Sequence, residues 1–353
     1  MAIPLFGFVI IMLDGFDLQC IGFVAPELAK EWSVSLAAFA PAFSAGFFGT
    51  ILGALFAGTG RRYFGQRLAL ALSILIFGAS TLSIAWVGGL GPLIALRFIV
   101  GVGLGCALPL VMTLVAENAP ERFRAALVTL ALCGQPTGAI LGAVLCGWLI
   151  PAYGWRSAFV LGGGLPLIVL PVIFALTRPR SASGAPRDIS IPELPGKLRD
   201  ILTAALLRTT MLMWATAFLS GFMVYVVINW LPGVLREQGY SLQASLLALS
   251  LFNVGGMVGG IGISALVDGI SGSGASICLG SVAILIYPSS LRTIGVGCVV
   301  AIARLGAATG PLLIGMALHM GMMTSRLFYI AAFAAAIAGL CFFVLGKARQ
   351  IAA

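Results

Sequence analysis

Leu13-Asp14-Gly15-Phe16-Asp17-Leu18 lies in the middle of an apolar run that extends from Pro4 to Ala29. A bilayer core takes about 20 apolar residues of helix, so this run predicts a membrane span with two carboxylates near its centre. The i, i+3 spacing puts both carboxylates on one face of that helix. Because a bare charge at this depth costs at least ~2.5 kcal/mol, we expect the face to meet protein or water and not lipid.

Two interpretations of this aspartate pair are open. Burial and a like-charged neighbour both disfavour the ionised carboxylate, which suits a reversible proton acceptor that couples a proton to a solute. Alternatively, Gly15 kinks the helix, and Asp14 and Asp17 only pack or snorkel.

The composition predicts an all-α polytopic membrane protein. Of the 353 residues, 60% are hydrophobic and 9% charged, and the mean hydropathy is +1.11; soluble globular domains do not carry so much apolar surface. The net charge of +9 lies in short loops between apolar runs, where it indicates membrane topology, and we expect no nucleic-acid partner.

Ten apolar runs are long enough to cross a bilayer. They cover residues 4–29, 36–58, 68–87, 91–115, 126–150, 157–177, 209–232, 244–267, 293–319 and 325–346. Ser276 to Ile286 is too short to cross alone. With the amino end inside, fourteen of the twenty basic residues fall on the cytoplasmic side, which predicts an inner-membrane protein with both termini in the cytoplasm.

The sequence also predicts three parts. A six-helix bundle covers residues 1–177, a polar, Pro-rich and basic cytoplasmic linker covers 178–207, and a second bundle covers 208–353. The seven cysteines and His319 show no metal-ligand spacing, and we expect no metal or cofactor.

Several further polar residues are candidates for a solute site. Arg97, within the fourth run, needs a carboxylate partner or water, and either Asp14, Asp17 or a substrate carboxylate would serve; a structural ion pair is the alternative. Arg304 is either a second such cation or a helix-end residue. Tyr225 and Asn229 share a helix face and suit a hydroxylated aromatic solute, whereas Trp230 fits this role and an interfacial aromatic belt equally well.

Several motifs taken together resemble the major facilitator superfamily, and within it the aromatic acid and proton symporters. They are Asp14-Gly-Phe-Asp17 with Ile21 to Pro26, Arg97 to Gly105 with Pro109 and Glu117, Cys133 to Arg156 including Gln135, Asn229 to Pro232, Tyr287-Pro288 with Arg292, and Arg304-Leu-Gly306 with Gly310-Pro311. The resemblance implies two pseudo-symmetric bundles and proton-driven, alternating-access uptake of small benzoate-type carboxylates. It further implies that Asp14, Asp17 and Arg97 are required and that Gln135 is a candidate substrate contact.

The chain departs from the family pattern in its gate and its length. Gly58 to Arg67 matches the cytoplasmic loop motif, except that Arg62 stands where the family has Asp. The resemblance implies gating residues at Arg62, Gly65, Arg67, Glu117, Arg124, Asp268 and Arg292. After Asp268 the chain reaches the end of a later helix almost at once, and the charge bias favours the loss of a hairpin, helices nine and ten.

Three function classes are open. A symporter needs a titrating carboxyl at mid-membrane and a cationic anchor, and both are present. An aspartyl protease would need carboxylates that converge from two helices, whereas Asp14 and Asp17 share one helix, so we expect no enzyme. A transporter of another organic anion, or a shortened protein that does not transport, is the remaining alternative.

Overall fold

The computed structural model describes residues 2–176, 201–271, 291–323 and 326–352, and every regular element in these ranges is helical. Short 3-10 helices at Leu36–Phe39 and Glu121–Phe123 precede α2 and α4. The α-helices are α1 (Ala2–Glu31), α2 (Ala40–Ile84), α3 (Leu90–Asn118), α4 (Arg124–Leu132), α5 (Gly134–Tyr153), α6 (Arg156–Leu176), α7 (Ala204–Glu237), α8 (Leu242–Ser271), α9 (Arg292–His319) and α10 (Arg326–Ala352).

α2 contains two of the predicted spans. Its 45 residues are interrupted at Gly65, where φ is 75° and ψ is 160°, a conformation that glycine adopts without the steric cost of a side chain. A Cβ on Gly60 would lie 4.0 Å from the Ala69 Cβ, although the two residues would be roughly 13 Å apart along a straight helix. The chain therefore turns back at Gly65.

The described helices confirm an all-α polytopic membrane protein. Seven helical segments are long and apolar enough to cross a membrane, with the two parts of α2 taken as one and α4 joined to α5. Two shorter apolar helices, Leu242–Val258 and Arg326–Cys341, lie in α8 and α10. All ten predicted spans fall on these helices.

Glycines allow the central helices to approach closely. A Cβ on Gly101 or Gly105 of α3 would overlap the backbone of α2, and one on Gly15 of α1 would overlap the Gln135 carbonyl of α5. Such small residues let helices pack in a bilayer, where no hydrophobic effect drives them together. α1 is the most buried of the seven long spans.

The helices before the predicted linker, α1–α6, are here called the amino half, and the helices after it, α7–α10, the carboxyl half. α2 packs on α3 and α6, and α1 on α5; α7 packs on α9 and α10. The halves meet where α1 contacts α7, α5 contacts α8 and α2 contacts α9. Residues 178–200 of the predicted linker and the short run Ser276 to Ile286 lie outside the described residues, so the three-part division stays a prediction.

Candidate functional site

Asp17 is held in a buried ion pair inside the amino half. Arg97 Nη1 on α3 donates to Asp17 Oδ2 at 3.1 Å and to the Asp17 carbonyl at 3.3 Å, and Thr81 Oγ1 on α2 donates to Oδ1 at 2.6 Å. Asp17 is 0% and Arg97 2% exposed. The carboxylate, the guanidinium and the hydroxyl therefore join α1, α2 and α3.

Asp14 has a different environment, although it lies on the same helix face. Gln135 Nε2 on α5 donates to Asp14 Oδ2 at 3.0 Å, and within the described part of the chain no cation lies within salt-bridge distance of it. Arg304 on α9 is close enough to act electrostatically on Asp14 and on Tyr225. Its Nη1 is buried and has no hydrogen-bond partner among the described residues.

A cavity of about 140 Å³ lies between the two halves. Gln135, which bonds to Asp14, lines it, whereas Asp14 and Arg304 themselves are not among its lining residues. Amino-half side chains from α1 and α5 face carboxyl-half side chains from α7 and α8 across it. Its lining residues are Gly15, Leu18, Gln19, Gln135, Pro136, Val224, Tyr225, Ile228 and Asn253. The wall is thus mostly apolar, with one phenol and three amides.

Of the three predicted α7 residues, only Tyr225 lines this cavity. Its ring meets Phe47 of α2 edge-on, with centroids 4.4 Å apart. Asn229 Nδ2 donates to the Tyr225 carbonyl at 2.8 Å, and its buried Oδ1 has no partner within the described ranges. Trp230 is 1% exposed and packs edge-on against Phe43, so it contributes to the packing between α2 and α7 away from the cavity.

Two amides that the sequence analysis did not single out join the halves at the cavity wall. Gln19 Nε2 donates to Asn253 Oδ1 at 3.0 Å, and Asn253 Nδ2 donates to Gln19 Oε1 at 3.2 Å. The available signal was the rarity of amide side chains within apolar spans, which marks such positions as candidates for helix contacts or solute sites.

Further contacts between the halves lie towards the Glu31 end of α1. Arg236 Nη2 on α7 donates to Glu27 Oε1 at 2.8 Å. A Cβ on Gly22 would lie 3.0 Å from the Ile228 carbonyl, and one on Gly233 would overlap the Leu36 side chain. The halves are therefore closed against each other at this end.

The predicted gating residues on α2 and α3 lie away from the cavity. Arg61, not Arg62, pairs with Glu117, with Nη2 to Oε1 at 2.5 Å, while Arg62 is exposed. Arg67 Nη2 donates to the Phe174 carbonyl at 2.8 Å, and its guanidinium lies over the Phe174 ring. Arg67 thereby ties the segment after Gly65 to α6.

The side chains of Arg124, Asp268 and Arg292 lie outside the described part of the structure, so their predicted roles in gating stay predictions. His319 ends α9. No group of three or more His, Cys, Asp or Glu residues with metal-site geometry occurs among the residues that were described.

A family model described as Major Facilitator Superfamily matches residues 7–269. The gallate transporter of Pseudomonas putida is 30% identical over 407 residues, which cover 97% of this chain and 91% of that protein. The 4-hydroxybenzoate transporter PcaK of Acinetobacter baylyi is 35% identical over 292 residues, which cover 74% of this chain and 64% of that protein. The xylose transporter XylE from E. coli, in its inward open conformation, superimposes with a TM-score of 0.66 at 16% identity, covering 97% of this chain and 95% of that chain.

This chain is shorter than these relatives. The gallate transporter alignment runs over 407 positions, yet 97% of 353 residues is about 342, so about 65 positions of that relative have no counterpart here. The PcaK match spans less than two thirds of that protein. Two membrane helices with their loops have about the size of this difference. That a pair is missing, and that the pair is helices nine and ten, stays a prediction.

Proposed function

This chain belongs to the major facilitator superfamily, and on that premise we propose that it carries small aromatic carboxylates across the inner membrane together with protons. The relatives in this family are transporters and not enzymes, and transporters of this kind need no cofactor. The substrate class follows the two relatives named for gallate and 4-hydroxybenzoate.

The cavity between the halves is the observation that carries the proposal. A cavity of about 150 Å³ in another protein holds one benzene ring, so the 140 Å³ here suits a single aromatic ring. The Tyr225 ring and the apolar side chains provide contact for its faces, and the amides of Gln19, Gln135 and Asn253 provide polar partners for its substituents.

Asp14 is the better candidate for the coupled proton. Asp17 already has a cation and a hydroxyl as partners, so protonation would break a buried ion pair. Asp14 is 6% exposed and its hydrogen-bond partner is a neutral amide, so a proton added to it breaks no ion pair among the described residues. Its hydrogen-bond partner Gln135 lines the cavity.

Arg304 is the better candidate for the substrate carboxylate. Arg97 donates to Asp17, whereas Arg304 Nη1 has no partner in the described chain. While Asp14 is ionised it competes with the substrate for the charge of Arg304; once Asp14 is protonated, that charge is free for the incoming anion. This competition would couple proton binding to substrate binding.

The contacts between the halves support an alternating-access mechanism. The Glu27–Arg236 ion pair and the packing around Gly22 and Gly233 close the Glu31 end. We place that end on the outer face, because the charge bias puts the amino terminus in the cytoplasm. Rocking of the halves would break these contacts and expose the cavity to the other side.

Uptake of radiolabelled benzoate and 4-hydroxybenzoate into vesicles, with and without a proton gradient, tests the proposal. We expect gradient-driven accumulation that Asp14→Asn abolishes and that Glu237→Gln, the same change at an exposed carboxylate, leaves intact. Accumulation by Asp14→Asn equal to that of the unmodified chain would refute the role of Asp14. A chain that accumulates neither acid would be a transporter of another organic anion or, given its shortness, a protein that does not transport.

A further inference from the structure

The two amides between the halves have a defined set of unused hydrogen-bonding groups. Asn253 Nδ2 donates one hydrogen to Gln19 Oε1 and the other to the Leu249 carbonyl, 2.9 Å away. Gln19 Nε2 donates one hydrogen to Asn253 Oδ1. Counted over the described residues, one N–H of Gln19 and a lone pair on each amide oxygen therefore remain for a third partner.

Both amides line the cavity, so that partner would be a group of the bound solute. Because Gln19 follows Asp14 by five residues, it lies about 7.5 Å further along α1 and about 140° around it. Gly15 and Leu18, whose directions fall between these two, line the cavity. A benzoate whose carboxylate lies near Asp14 and Arg304 would point the far edge of its ring towards the amides.

We propose that Gln19 and Asn253 make this transporter select aromatic acids with a ring hydroxyl remote from the carboxylate. A hydroxyl both donates and accepts, so it can donate to an amide oxygen and accept from the free N–H of Gln19. A methyl group in its place would displace water from these amides without replacing its hydrogen bonds, and a hydrogen atom would form no hydrogen bond with them. One or two hydrogen bonds of ordinary strength correspond to a preference of roughly tenfold.

This inference rests on the proposed function, since it concerns the same cavity, and the unmodified chain is sufficient for its first test. Uptake of labelled 4-hydroxybenzoate is measured against unlabelled 4-hydroxybenzoate, 4-methylbenzoate and benzoate. The methyl group has about the size of the hydroxyl but forms no hydrogen bond. We expect the hydroxyl compound to compete about tenfold more effectively; equal competition by 4-methylbenzoate would overturn the inference.

Variants then identify the residues responsible. Gln19→Met and Asn253→Leu keep the approximate size of each side chain and remove the amide. We expect each to abolish the preference for 4-hydroxybenzoate while benzoate is still taken up. Ser250→Ala is the matched control, because Ser250 is a buried polar residue of α8 that donates to the Leu246 carbonyl and does not line the cavity.

The outcomes separate this inference from the proposed function. Uptake of both acids with an undiminished preference in the two amide variants overturns the role of the amides and leaves the transport function standing. Absence of uptake by the unmodified chain, together with no rise in its thermal midpoint on adding either acid, overturns both. If an amide variant does not yield a folded protein, the competition between unlabelled acids on the unmodified chain tests the inference.

Discussion

Asp17→Asn and Asp14→Asn remove the same charge from positions three residues apart, and the structure predicts very different effects on stability. Asp17 Oδ2 is 3.1 Å from Arg97 Nη1, and both side chains are almost completely buried. Asn at position 17 leaves the guanidinium without a counter-charge. Breaking a buried pair by removing one partner costs about 3–5 kcal/mol.

At position 14 the change is much milder. Asn keeps a carbonyl oxygen that accepts from Gln135 Nε2, and the structure gives Asp14 no ion pair among the described residues to lose. The expected cost is within about 1 kcal/mol, the value of one ordinary hydrogen bond.

The assay is the thermal midpoint of the detergent-solubilised protein, followed by tryptophan fluorescence and by recovery of a monodisperse peak. On the scaling for soluble chains of this length, Asp17→Asn should lower the midpoint by roughly 4–7 °C and Asp14→Asn by no more than about 2 °C. Adding Arg97→Gln to Asp17→Asn should recover part of the loss, because both charges are then absent. Equal midpoints for Asp14→Asn and Asp17→Asn would refute the buried ion pair.

Three further predictions concern transport and packing. Arg97→Lys keeps the charge but loses the planar donor group, so uptake should fall strongly. Normal uptake in this variant would show that Arg97 contributes only its positive charge. Gly15→Ala should lower both uptake and the thermal midpoint, because its Cβ would overlap the Gln135 carbonyl, whereas Gly147→Ala has its nearest neighbour at 3.8 Å and should be tolerated; an undisturbed Gly15→Ala would contradict the close approach of α1 and α5. Inserting the hairpin of helices nine and ten from a relative between Asp268 and Ser276 should raise both the thermal midpoint and the uptake. If the unmodified chain already equals a full-length relative in both measurements, these two helices are not needed.

Much of the fold was predictable because helices in a bilayer satisfy their backbone hydrogen bonds within the segment. Apolar length alone then located the spans, including the two joined at Gly65. The same local periodicity put Asp14 and Asp17 on one face of α1. The sequence offered Asp14 or Asp17 as a partner of Arg97, but it did not decide between them, because Arg97 lies 80 residues from Asp17. Thr81 and Gln135 were not predictable as partners, because they lie 64 residues from Asp17 and 121 residues from Asp14.

By itself, the sequence determined that this is a helical membrane transporter with two carboxylates in the middle of its first apolar run, since run length and motif are properties of single segments. Only the tertiary structure decided that Asp17 has a cation and Asp14 an amide, and that Gln19 meets Asn253 of the other half. Residues three apart on a helix differ by about 60° in direction, so each meets a different neighbouring helix. Which neighbouring helix a side chain meets depends on how closely glycines let the helix backbones approach. That distance is a property of two packed helices and not of one segment alone.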